Sequence, residues 1–399
     1  MPRIRFTTAG ESHGPGLVSV IEGVPAGLPL LAAHVDAELA RRQKGYGRGR
    51  RMQIEQDTIE LLSGVRAGET LGSPIAMLVR NRDWKNWSEI MDPAPRPEDA
   101  TEGRKRRLTR VRPGHADLSG IFKYDRTDAR DILERASARE TTSRVAAGAI
   151  AKRLLEELGI TIGSHVISLG GIDARVPDAL PDDLNAAADP SPLRTLDKDA
   201  EGRMIALIDQ LKKDGNTCGG IGEVVVRGLP VGLGSHVSWD RKLDGRLARA
   251  ILSIHAVKGM EIGDGFDAAR KSGAEVHDEM EPAPGNPRRG HVRRKTNRAG
   301  GLEGGLTTGE PLVIRAAMKP ISTLMSPLAT IDVATGEPAM AAAERSDVTA
   351  VPAMAVIAEA MTALVLADAI VEKFGGDSLG ELRRNFDGYV SHVAGRLAR

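Results

Sequence analysis

The chain has 399 residues, with 55 Lys and Arg against 54 Asp and Glu and an aromatic content of 3%. That length allows one large domain or about two to three ordinary ones, and the balanced charge removes any global pull toward nucleic acid or a membrane surface. The single cysteine, Cys218, excludes an internal disulfide framework and a cysteine-based metal site. With no charged-then-apolar leader and no apolar run of about 18 residues, a cytoplasmic protein is expected.

In chain order, a short strand over Ile4–Thr8 runs into Gly10-Glu11-Ser12-His13-Gly14. Read literally this is Gly-x-Ser-x-Gly, the frame of a nucleophile elbow, which raises a serine hydrolase built on Ser12. An elbow needs a helix directly after the serine. Pro15-Gly16 and the β-branched run Leu17–Ile21 follow instead, so a strand–turn–strand presenting Ser12 and His13 is expected. A helix is predicted over 35–43, then a loop over 44–51. Strands between 54 and 79 are joined by Gly64 and by Gly68-x-x-x-Gly72-x-Pro74. Residues 92–106 read as a surface loop.

A long helix is predicted from about Thr127 to Leu158, closed by Gly159. Strands at 160–168 and 221–229 flank a Pro- and Asp-rich loop at 177–199, and a helix covers 240–254. Residues 284–298 read as a Pro/Gly/Arg-rich loop and 310–318 as a strand. The segment 349–373 is apolar nearly all round, the profile of a helix buried at the centre of a fold.

Two patterns recur in the same order. Gly23-Val-Pro-Ala-Gly27-Leu28 returns as Gly228-Leu-Pro-Val-Gly232-Leu233, and Gly68-x-x-x-Gly72-x-Pro74 as Gly305-x-x-x-Gly309-x-Pro311. Each pair leads on to an Ala-rich helix, so one integrated domain with two related halves is expected.

Local basic charge is the strongest chemical signal. Arg41, Arg42, Lys44, Arg48, Arg50 and Arg51 crowd a glycine-rich stretch with no acid among them. Arginine forks bind carboxylates and phosphates, although an ordinary solvated loop shows the same composition. Arg110, Arg112 and His115 form a second cluster in an Arg-Pro-Gly-His-Ala-Asp turn. With His13, this makes two histidines in Gly-containing turns near arginines, suited to act as acids or phosphate ligands. No histidine pair has metal-ligand spacing. The predicted long helix carries Arg126 through Arg144, with Glu134 and Glu140 as surface i,i+4 partners. Ser137 sits there between small residues, where a ligand could approach. Asn297–Gly305 is a glycine loop that fits neither Walker A nor Gly-x-Gly-x-x-Gly. Lys319-Pro320-Ile321-Ser322-Thr323 supplies a cation and two hydroxyls, which suits a phosphate tail. Asp347, before the apolar helix, reads equally as a cap or as a catalytic acid.

Taken together, the motifs resemble the chorismate synthase family. They are Gly-Glu-Ser-His-Gly at 10–14, Arg-Pro-Gly-His-Ala-Asp at 112–117, Arg-Ala-Ser-Ala-Arg-Glu-Thr at 135–141 and Lys-Gly-Met-Glu-Ile-Gly-Asp-Gly-Phe at 258–266. Asn-Arg-Ala-Gly-Gly-Leu-Glu-Gly-Gly at 297–305, Lys-Pro-Ile-Ser-Thr at 319–323 and Arg-Ser-Asp at 345–347 complete the series, in the family's order and across nearly the whole chain. The resemblance implies conversion of 5-enolpyruvylshikimate 3-phosphate to chorismate and phosphate with reduced FMN (FMNH2), without net redox change. It implies an α+β fold, a β-α-β sandwich with central long helices between two antiparallel sheets and a pseudo-twofold repeat. A single domain with mobile loops near 41–52, 92–108 and 284–296, and a homotetramer, are expected.

Residue by residue, the resemblance makes His13 and His115 the acid pair, with Asp347 acting beside the flavin. Flavin contacts map to Arg135, Ala136, Ser137, His255, Ala256, Gly304, Lys319, Pro320, Ile321, Ser322, Thr323 and Arg345. Substrate contacts map to Ser12, Arg42, Arg48, Arg112, Ser137, Arg139 and Arg345. Family descriptions also ascribe NADP contacts to the positions of Arg42 and Arg48, where the anionic substrate is the better chemical match. NADPH then enters as the source for an external reductant. No metal, nucleic acid or membrane partner is expected. A hydrolase would be exposed by fluorophosphonate labelling of Ser12, and a non-catalytic anion-binding protein by salt-dependent binding without turnover.

Overall fold

The computed structural model describes residues 3–49, 56–95, 107–342 and 347–397. Strands β1 (Arg5–Ala9) and β2 (Gly16–Glu22) pair antiparallel, with Ala9 opposite Val18, so the chain reverses through residues 10–15 as the β-branched run predicts. Along β2 the side chains of Leu17, Ser19 and Ile21 are buried, the period of two of a half-covered strand. Helix α1 (Ala32–Gln43) follows, then β3 (Ile59–Leu61), a hairpin of β4 (Val65–Arg66) and β5 (Glu69–Thr70), and β6 (Ile75–Arg80). The first sheet has the order β1-β2-β6-β3, antiparallel throughout.

The stretch predicted as one long helix is broken. Helix α2 (Asp117–Tyr124) precedes α3 (Arg130–Ala136), a single 3-10 turn covers Ala138–Glu140, and α4 spans Thr141–Glu156. Ser137 makes the break with extended backbone, φ −67° and ψ 143°, while its hydroxyl accepts the N–H of Arg139. A serine oxygen competes with the helical carbonyls for backbone donors, and here the competing bond wins.

A second sheet, order β10-β15-β9-β7-β8, contains β7 (Thr161–Leu169), β8 (Ile172–Asp173), β9 (Gly220–Arg227), β10 (Val257–Ile262) and β15 (Leu312–Met318). Between its strands lie α5 (Leu184–Ala188), α6 (Lys198–Lys213), α7 (Leu243–Leu252) and α8 (Gly273–Val276), with hairpins β11 (Met280–Pro282)/β12 (Val292–Arg294) and β13 (Leu302–Glu303)/β14 (Leu306–Thr307). Helices α9 (Val351–Phe374) and α10 (Leu379–Ala394) end the described chain. Of these, α2, α6, α10 and β10 are not among the predicted elements, although α6 and α10 carry apolar residues at helical spacing (Ala200, Met204 and Ile208; Leu379, Leu382 and Phe386) behind the caps Asp197 and Ser378.

Helix α4 lies against β1, β2 and β6, α9 lies against β7, β9 and β15, and the two helices pack on each other. Small residues set that contact: a Cβ on Gly148 of α4 would stand 2.4 Å from the Cβ of Ala360. Helix α9 is the one described helix long and apolar enough to cross a membrane, and 94% of its apolar window is buried, so it is the core of the fold. The main hydrophobic cluster runs from Ile4 to Phe386 and draws on both sheets.

The recurring Gly/Pro motifs occupy matching environments. Thr70 Oγ1 donates to Pro25 O at 2.6 Å and accepts from Leu28 N at 3.0 Å; Thr307 Oγ1 donates to Pro230 O at 2.7 Å and accepts from Leu233 N at 2.8 Å.

Residues 284–298, expected as a Pro/Gly/Arg-rich loop, are partly structured. β12 pairs with β11, and Arg288 donates to the carbonyls of Leu158 (2.7 Å), Gly159 and Gly228. The first two bonds satisfy carbonyls just beyond the end of α4, and the third satisfies one just after β9. Residues 50–52 and 96–106, within the other two expected loops, lie outside the described residues.

Candidate active site

The turn between β1 and β2 is stitched in place from three directions. Ser12 is 3% exposed; its N–H donates to Glu134 O (2.9 Å) and its Oγ accepts from Ser137 Oγ (3.1 Å). Asn81, just after β6, donates to the carbonyls of Gly14 (2.8 Å), Glu11 and Ser12 (both 3.3 Å). His13 Nδ1 lies 3.0 and 2.9 Å from the two oxygens of Glu134, which also accepts the His13 N–H at 2.9 Å. The imidazole stacks on Trp87, centroids 3.8 Å apart. Burial opposes ionisation of Glu134, yet the hydrogen bond and charge of His13 hold its carboxyl below the usual range. Since β2 follows the turn, Ser12 has a strand where an elbow requires a helix.

Behind this turn sits a buried arginine pair. Arg139 Nη1 reaches both oxygens of Asp57 at 2.7 Å, while its Nε and Nη2 donate to Asn81 Oδ1 at 3.0 and 2.9 Å. Arg42 donates to Thr141 Oγ1 (3.0 Å) and Ala138 O (3.1 Å), and its Nη1 stands 3.6 Å from Asp57 with no hydrogen bond among the described residues. Burial pulls its guanidinium down to about 9, against the pull of Asp57. A buried cation so incompletely neutralised is suited to receive an anion. Arg48 pairs with Asp347 (3.1 Å), whose other oxygen accepts the Gly49 N–H at 2.6 Å.

The third cluster is built on the turn that precedes α2. His115 Nδ1 is 2.5 Å from Asp117 Oδ1, and Arg112 donates to the same carboxylate through Nε (2.9 Å), Nη2 and its main-chain N–H (both 3.1 Å). Asp117 has no exposed surface; burial alone would favour its neutral form, but His115 and Arg112 hold it well below the usual carboxylate range. Arg112 Nη1 also meets Thr323 Oγ1 (3.3 Å), and Lys319 Nζ donates to Gly114 O (2.5 Å), so the Lys319–Thr323 loop closes on this turn. Lys319 N–H donates to Ala256 O (2.9 Å), which brings in His255.

Burial pushes His255 down to about 4, with Glu140 at 3.9 Å opposing and Arg144, His115 and Arg135 reinforcing it. Its Nδ1 is buried without a hydrogen bond among the described residues. The unfolded chain therefore takes a proton near pH 6.5 that the native chain refuses until about 4, so stability should fall as pH drops through that window. The displacement corresponds to roughly 3 kcal/mol. His255→Gln should flatten that part of the stability curve in denaturant titrations at pH 7 and 4.5; an unchanged slope would remove the buried neutral histidine as its source.

A family model described as chorismate synthase matches residues 4–371. The chain belongs to the chorismate synthase family. It is 56% identical over 396 residues to the chorismate synthase of Symbiobacterium thermophilum, covering 98% of this chain and all of that one. The Geobacter metallireducens chorismate synthase is 55% identical, covering 98% of this chain and 99% of its own. A solved structure titled "Crystal Structure of Chorismate Synthase" superposes with TM-score 0.76 at 42% identity, covering 98% of both chains.

Of the residues that the chorismate synthase resemblance names, the chain gathers Ser12, His13, Arg42, Arg48, Ser137, Arg139 and Asp347 around the first turn. Arg112, His115, His255, Ala256, Lys319, Ser322 and Thr323 gather around the second. Ile321 is held through its carbonyl by Thr217 (2.8 Å), and Pro320 packs against Gly219. Arg135 links the two groups, donating to Gly10 O and Thr8 O and facing His255. With Ala136, Arg130 and Glu134 it lines a cavity of about 980 Å³. Gly304 is set apart: its hairpin starts beside Leu312, whereas Lys319 follows Met318 at the other end of a seven-residue strand about 20 Å long. Arg345 lies outside the described residues.

Glu134 and Glu140 depart from expectation. Their i,i+4 pairs with Arg130 and Arg144 form, but both acids are buried and turned to histidines instead of covering a solvated face. Asp57, Asn81, Asp117 and Trp87 complete the site without having been singled out. Asp117 was legible as the last residue of its motif; Asp57 and Asn81 carry no local signal.

Proposed function

We propose that the chain catalyses 1,4-elimination of phosphate from 5-enolpyruvylshikimate 3-phosphate to give chorismate, the last step of the shikimate pathway. The observation that carries this reading is the convergence of Arg42, Arg48, Arg112 and Arg139 with two carboxylate-held histidines, in a chain of net charge +1. A substrate with two carboxylates and a phosphate needs such a concentration of fixed cations.

The residues present fit reduced FMN. Lys319, Ser322 and Thr323 offer one ammonium and two hydroxyls to a phosphate tail, and the buried Nδ1 of His255, without a hydrogen bond among the described residues, marks a polar contact a ligand can complete. When bound, reduced flavin supplies the electron that makes loss of a non-acidic ring hydrogen feasible. The protein's own part is electrostatic. Arg42, Arg48, Arg112, Arg139 and Arg345 orient the anionic substrate, while Ser12 and Ser137 donate hydroxyl hydrogen bonds. His115 and His13 present protons to the leaving phosphate and the developing negative charge. Asp347, held by Arg48 and the Gly49 N–H, holds or moves a proton on the same wall.

The fold is read as two related halves about a pseudo-twofold, with α4 and α9 between the sheets in one integrated domain; the matching Thr70 and Thr307 bonds support this. A homotetramer in the cytoplasm, fed with reduced flavin by an NADPH-dependent reductant, completes the reading. Anaerobic incubation with reduced FMN and the enolpyruvyl substrate tests it: phosphate and chorismate should appear in equal amounts, and phosphate release without flavin would overturn it.

A further inference from the structure

The loop Arg82-Asp83-Trp84-Lys85-Asn86-Trp87 follows β6 as a 3-10 turn, and nothing in the motifs assigns it a role. It brings an indole flat against the imidazole of His13, with centroids 3.8 Å apart and planes inclined by 27°. That indole is itself pinned. Its Nε1 donates to Asp83 Oδ2 at 2.9 Å, and the Arg130 guanidinium lies 5.2 Å from its ring. Arg130 in turn donates to Glu134 Oε1 at 3.1 Å, and Glu134 holds His13 Nδ1. Asp83, Trp87, His13, Glu134 and Arg130 thus form a continuous chain of contacts that closes on itself at Trp87.

We infer that Trp87 is a positioning residue for the proton transfer at His13: its indole face fixes the plane of the imidazole while Glu134 fixes its Nδ1. The two constraints do different work. A hydrogen bond to one ring nitrogen sets where that nitrogen sits but lets the ring pivot about the N···O line. A stacked face removes the pivot. Together they assign the transferable proton to Nε2 and aim it along one direction. Stacking adds this without a further acid, which would compete for the proton.

The inference rests on the reading of His13 as an acid. Its test has two arms. In the full chain before flavin is added, with Trp84 and Trp239 replaced by Phe, Trp87 emission should be quenched by the stacked ring of His13. His13→Gln should relieve that quenching about twofold or more. Unchanged emission would overturn the stack. In steady-state turnover, Trp87→Leu should lower kcat roughly tenfold with KM for the enolpyruvyl substrate within about twofold, because aim is lost while binding is kept. Trp87→Phe, which keeps a flat face, should recover most of the rate. Equal impairment of the Phe and Leu variants, or a rise in KM with kcat intact, would overturn the positioning role. The emission arm needs no Trp87 variant to fold. Full activity in His13→Gln would instead remove His13 as the acid, whatever Trp87 does.

Discussion

His115→Ala is expected to lower turnover by roughly 10²–10⁴-fold, the range for a positioned acid, while leaving affinity for FMN within about twofold. The geometry predicts such a separation. Asp117 keeps three bonds from Arg112 when the imidazole is gone, at 2.9 and twice 3.1 Å, so the carboxylate is not left buried and unpaired. Arg112 stays anchored, and with it the contact to Thr323 in the loop read as holding the flavin phosphate. What disappears is a proton donor whose Nδ1 was fixed at 2.5 Å from a fully buried acid. Phosphate release in single turnovers, set beside flavin binding followed by fluorescence, measures the two quantities independently. Equal losses in both would mean that His115 supports the flavin and does not donate the proton.

The second large effect is expected at Arg139. Replacing it by Met strips the buried Asp57 of its closest cation, since Arg42 is more distant at 3.6 Å. It also releases Asn81, whose amide holds the carbonyls of Glu11, Ser12 and Gly14. Leaving one partner of a buried pair behind costs about 3–5 kcal/mol, so the midpoint of denaturant unfolding should fall sharply. Adding Asp57→Asn should return little of that loss, because Arg42, 3.6 Å from Asp57, is then the buried charge left without its partner. Turnover should stay low in the double variant, since the Ser12–His13 turn remains loose. A single variant within about 1 kcal/mol of the parent would show that the pair is not a structural support.

Both predictions turn on residues that the sequence marks unequally. His115, Arg112 and Asp117 lie within one six-residue motif, and their mutual bonds follow from a tight turn that local chemistry imposes. The partners of Arg139 are 82 and 58 positions away, and no periodicity connects them. The break at Ser137 was hidden for another reason. Residues 127–158 are helix formers almost throughout, so propensity favours continuity. Only the side-chain bond to Arg139 N–H, with Arg139 pulled inward by Asp57 and Asn81, makes interruption the better state.

By itself, the sequence determined the strand–turn–strand that presents Ser12 and His13, the buried central helix and the family. Each follows from local rules: Pro15-Gly16 forbids an elbow helix, an all-apolar face must be covered, and short motifs in order are specific. Tertiary structure alone decided which charges are buried and paired. It turned Glu134 from a surface partner into the acid behind His13, brought Trp87 onto that ring and parted Gly304 from the Lys319 loop. Burial depends on what packs over a side chain, and that cover comes from segments far away in the sequence.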